Sequence, residues 1–68
     1  MLEEKAGEFA GKIWQALNES GSLTGKDLKR AIKTRSDKDL YLGIGWLLRE
    51  DKISAVEAEK DYLFSLKK

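Results

Sequence analysis

The strongest constraint on this chain is a change of hydrophobic period after Glu50 and Asp51. Before it, apolar residues recur at three- and four-residue steps; after it, they fall into two short runs, Lys52-Ile53-Ser54-Ala55-Val56 and Tyr62-Leu63-Phe64-Ser65-Leu66. The first pattern lines up side chains on one stripe of a helix, and the second suits strands, with Tyr62, Phe64 and Leu66 on one face of a pleat. The polar stretch Glu57-Ala58-Glu59-Lys60-Asp61 between the two runs reads as the turn of a hairpin.

Within the helical part, Leu2, Ala6, Phe9, Ala10, Ile13, Trp14 and Leu17 define a first amphipathic helix over about residues 2–19. Glu3, Glu4 and Glu8 suit the positive end of its dipole, and Asn18-Glu19-Ser20-Gly21 supplies the stop. Leu23, flanked by Ser22 and Thr24, reads as a strand stub with a distant partner. Thr24 with Asp27, and Ser36 with Asp39, match the spacing of a capping box with Asp in place of Glu. They start a second helix over about residues 25–33, with Leu28, Ala31 and Ile32 inward, and a third soon after the short connection Thr34-Arg35-Ser36. On the third helix, Leu40, Ile44, Leu47 and Leu48 share one face, opposite Lys38, Leu42, Gly45 and Arg49. Two helices joined so closely form a helix-turn-helix.

The order is helix, strand stub, helix, helix, hairpin. It predicts an α+β winged helix-turn-helix fold: three helices plus a short N-terminal strand stub and a C-terminal two-stranded β-hairpin wing. The expected core is Phe9, Ile13, Leu17, Leu23, Leu28, Ile32, Leu40, Ile44, Leu47, Ile53 and Phe64. A chain of 68 residues has material for one such core, so residues 1–68 are expected to form a single domain.

The residues from Ile44 through Ile53, IGWLLREDKI, carry a resemblance to the small stand-alone bacterial winged helix-turn-helix proteins of unassigned function. In this sequence they look like the end of a third helix running into the first wing strand. Leu28 and the run Tyr62-Leu63-Phe64-Ser65-Leu66 match the rest of that pattern, and the likeness spans about residues 2–66. It implies a scaffold of the DNA-binding type without implying an established ligand.

The side-chain inventory argues against an enzyme. Without Cys or His there is no thiolate, no imidazole base and no ordinary zinc ligand set, and the carboxylates are scattered. No cofactor, metal or small-molecule substrate is therefore expected. The pair Gly43 and Gly45 lies inside a helix, which rules out a phosphate loop and suggests close backbone packing. No apolar run is long enough to span a membrane and the N-terminus lacks the plan of a signal peptide, so a cytoplasmic protein with no membrane partner is expected.

Two readings of the surface stay open. Lys26, Lys29, Arg30, Lys33 and Arg35 face one anion, Asp27, over ten residues, and this excess suits duplex DNA phosphates. Lys38, Tyr41 and Arg49 of the third helix would then approach the major groove. Against this stand an overall charge of only +1, Asp37 and Asp39 at the start of the third helix, and an acidic hairpin turn. The other reading takes Leu42, Gly45 and Trp46, or an open wing edge, as a contact for a protein partner or a second copy of the chain. Trp46 and Trp14 can equally pack as ordinary margin of the core.

Overall fold

The computed structural model describes residues 2–67; the side chain of Leu2, placed by the sequence on the apolar stripe of the first helix, lies outside the described residues, as do Met1 and Lys68. Three helices and three strands follow one another as α1 (Leu2–Ser20), β1 (Ser22–Thr24), α2 (Gly25–Ala31), α3 (Asp37–Arg49), β2 (Ile53–Glu57) and β3 (Tyr62–Leu66). The strands form one antiparallel sheet in the order β1-β3-β2. The stub thus finds its distant partner, with Leu23 opposite Phe64 and Ala55 opposite Phe64 on the other side.

The helices begin where local chemistry directs them. Thr24 caps α2 by accepting the Asp27 amide at 3.1 Å, and Ser36 caps α3 by accepting the Asp39 amide at 3.1 Å. Their ends are less conventional. α2 stops at Ala31, two residues before the expected end, because Lys33 takes a left-handed conformation (φ 58°). The amides of Lys33 and Thr34 then fold back onto the carbonyls of Arg30 and Lys29, each at 3.2 Å. α3 closes identically through Asp51 (φ 60°), with the amides of Asp51 and Lys52 returning to Leu48 and Leu47 at 3.1 and 3.0 Å. Both are Schellman closures carrying a charged residue where glycine is usual, which removes the local signal for the stop.

Ala6, Ala10, Ile13 and Leu17 of α1 meet Leu28 of α2, Leu40, Ile44 and Leu47 of α3, and Ile53 and Phe64 of the sheet. Phe64, Ile13, Leu17, Leu28, Leu40 and Ile53 are the largest side chains withdrawn from water, and full burial of such a group stabilises by about 1.5–3 kcal/mol. Leu23 and Ile32 are partly buried against this cluster, and Phe9 is half-buried. α1 and α3 run alongside each other, pinned at one end by Lys5 Nζ and the Asp39 carboxylate at 3.0 Å. In the middle, Gly43 lies so close to Phe9 that a Cβ would stand 2.9 Å from the Phe9 backbone.

Three expectations fail, each for a geometric reason. Leu48, placed on the inner face of α3, is 45% exposed because Leu40, Ile44 and Leu47 already fill the seam. Ala31, at the truncated end of α2, is exposed and borders a groove toward α1. Gly45 does not serve close packing: nothing among the described residues lies within 4 Å of a Cβ built on it, and of this pair only Gly43 answers that description.

Candidate nucleic-acid interface

The cations of α2 and of the connection after it divide between two surfaces. Lys26, Lys29, Arg30 and Arg35 border one shallow concavity, with Thr34 at its base. The closure of α2 sends Lys33 instead to the groove toward α1, beside Lys12, Gln15 and Glu19. On α3 the outer stripe consists of Lys38, Tyr41, Gly45, Leu48 and Arg49, all exposed, with Leu42 half-buried at its margin. Trp46 is partly buried against the core, and the Arg49 guanidinium lies 6.0 Å from its ring centre, within cation–π range. Trp14, 43% exposed, and Trp46 wall a shallow groove between α1 and α3 with Gly11, Glu50 and Lys52 at its rim.

Three of the acidic residues that count against a polyanionic ligand, Asp37, Asp39 and Asp61, have partners within the chain, whereas Glu57 and Glu59 of the hairpin stay exposed. The Asp37 carboxylate reaches Lys29 Nζ at 2.8 Å, tying the start of α3 to α2. Asp39 offers its amide to Ser36, but its carboxylate pairs with Lys5 of α1 and the Ser36 amide donates to Thr34 Oγ1 at 3.2 Å, so the reciprocal half of the expected capping box is not formed. The carboxylate of Asp61, from the hairpin turn, accepts the Lys26 amide at 3.0 Å and the Tyr62 amide at 2.7 Å. These two bonds, first that from Lys26 and then that from Tyr62, hold the Asp61 carboxyl below the usual carboxylate range against a smaller opposing effect of burial. Among the described residues, Arg30, Arg35 and Lys38 take part in no ion pair.

Tyr41 stands where α3, the start of α2 and the wing meet, with Gly25, Lys26, Lys60 and Asp61 around it. Burial first, then the negative charges of Asp61 and Asp37, raise its phenol above the ordinary tyrosine value. The Asp61 contact spans 35 residues of sequence, so no local motif announces it. Gly25 is its one trace in the sequence: a Cβ there would stand 2.8 Å from Asp61 Oδ1 and 2.9 Å from the Tyr41 hydroxyl.

No group of His, Cys, Asp and Glu among the described residues is arranged to hold a metal ion, and no described helix is long and apolar enough to cross a membrane. Two closely joined helices with a three-stranded sheet packed behind them, and a hairpin beside the second, define a winged helix-turn-helix protein. The chain belongs to the family described as winged helix-turn-helix domain (DUF2582), which matches residues 1–66. It is similar to an uncharacterized protein of Methanocaldococcus jannaschii, 34% identical over 65 residues that cover 93% of this chain and 91% of the relative. It is also similar to a Bacteroides thetaiotaomicron protein solved by solution NMR, with TM-score 0.85 and 30% identity over 97% of this chain and 79% of the other.

Proposed function

We propose that the protein is a nucleic-acid-binding module for duplex DNA, in which the concavity on α2 receives backbone phosphates and the outer stripe of α3 approaches the major groove. The observation that carries this reading is the pairing of Asp37 with Lys29 and of Asp39 with Lys5, which leaves Arg30, Arg35 and Lys38 exposed with no carboxylate bound to them among the described residues. Lys26 shares the same rim, Lys29 contributes less because Asp37 holds it, and Lys33 stands apart. Tyr41 and Arg49 remain the candidate base or backbone contacts of α3. With a net charge of +1, affinity for a single duplex is modest and strongly salt-dependent.

The test is a titration with a mixed-sequence duplex at several salt concentrations. Arg30→Ala and Arg35→Ala are each expected to weaken binding across sequences and to reduce the slope of log K against log salt by about 0.9 for each phosphate no longer neutralised. Binding that persists with an unchanged slope in both variants overturns the assignment.

A second reading, association with another copy of this chain or a protein partner, is favoured by the partly open groove walled by Trp14 and Trp46, which Leu42 and Gly45 do not line. It expects concentration-dependent sedimentation that Trp14→Ala removes and DNA does not alter.

A further inference from the structure

The wing is supported unevenly along its length. β1 accompanies β3 only from Ser65 back to Leu63, whereas β2 and β3 continue to the pair Glu57 and Tyr62. Beyond Thr24 the hairpin tip is therefore a two-stranded ribbon, an arrangement that is marginal in water without a further contact. Asp61 supplies that contact. Its main-chain carbonyl accepts the Ala58 amide at 2.8 Å, closing the turn, while its carboxylate crosses to the Lys26 amide in the first turn of α2.

The start of α2 is correspondingly divided between two acceptors. Thr24 Oγ1 takes the Asp27 amide and Asp61 takes that of Lys26, so two donors that the helix cannot satisfy itself are bonded. Half of this cap belongs to a residue 35 positions away. The Tyr41 hydroxyl of α3 closes over the same point, and Gly25 is the residue that leaves room for both.

We propose that Asp61 is a positioning residue that latches the wing tip to the junction of α2 and α3, so that its carboxylate, and not the sheet, sets how Lys60 stands relative to Lys26 and Tyr41. When the latch opens, the tip moves as a ribbon hinged at the end of β1 while the core stays folded. The latch acts in the same way whichever ligand the protein binds.

The charged and titratable groups facing Asp61 are Lys26 and Lys29 from α2, Asp37 and Tyr41 from α3, and Lys60 and Tyr62 from the hairpin. Asp37 is itself held by Lys29. Because the folded carboxyl lies below its ordinary value, the latch is fully formed above the usual carboxylate range and opens as pH falls through the folded value.

Nuclear magnetic resonance of the full chain tests this. In Asp61→Ala, amide exchange at Lys26 and Tyr62 is expected to accelerate about tenfold or more, while Leu28, Ile44 and Phe64 keep their protection. Residual dipolar couplings of the amides of residues 57–60 should share the alignment of α3 in the wild type and lose that fit in the variant. Gly25→Ala, which keeps the carboxylate but places a methyl where it sits, should give the same signature. In the wild type, the amide shifts of Gly25, Lys26 and Tyr62 should move together through one acidic midpoint, a readout that needs no variant to fold. Unchanged tip couplings in Asp61→Ala, or three amides titrating with separate midpoints, overturn the proposal.

Discussion

Gly43 and Gly45 sit two residues apart on the same helix and have opposite surroundings. Gly43 faces α1 at a separation that admits no side chain, while Gly45 faces open space on the outer stripe. Glycine costs a helix about 1 kcal/mol relative to alanine. At Gly43 that cost is offset by the approach of two helices; at Gly45 nothing among the described residues offsets it. The inner face of α3 is thus shaped by packing, and its outer face is free to be shaped by a ligand.

The largest expected effect tests the inner face. Leu40→Ala, at a side chain only 1% exposed, should destabilise the protein by about 2–5 kcal/mol, read by chemical denaturation. Gly43→Ala comes next, with a net loss of about 1–2 kcal/mol, since the new methyl meets the Phe9 backbone and overpacking outweighs the gain in helix propensity. A stabilised Gly43→Ala protein would erase the contrast between the two faces.

Gly45→Ala should act in the other direction, raising stability by about 1 kcal/mol and the melting temperature by roughly 4–8 °C. If duplex affinity falls in the same variant, the bare helix surface serves a close ligand contact; if affinity is unchanged, the outer stripe does not touch the duplex there. Lys33→Gly, at the left-handed closure of α2, should be stabilising by up to about 1 kcal/mol, because glycine adopts that conformation without steric cost. The smallest effect is expected for Leu48→Ala, within about 0.5 kcal/mol, as at other exposed positions without special contacts.

A similar contrast separates the two caps of α2. Thr24 lies next to the helix it caps, and its spacing to Asp27 can be read directly; Asp61 lies across the molecule and reads in sequence only as one more acid in a solvated turn. The candidate site follows this division. The exposed cations on α2 and α3 were legible because helical spacing separates polar from apolar faces. Their availability was not, since it depends on Lys29 meeting Asp37 and Lys5 meeting Asp39 across helix–helix contacts.

The sequence by itself determined the six elements, their order, nearly all of the core and both side-chain caps, because periodicity and capping act over three or four residues. Tertiary structure alone decided which of two glycines is indispensable, that Leu48 faces water, and which charges are neutralised. Those outcomes depend on distances between elements far apart in the chain, and a single carboxylate such as Asp61 takes its role from the amides it happens to face after folding.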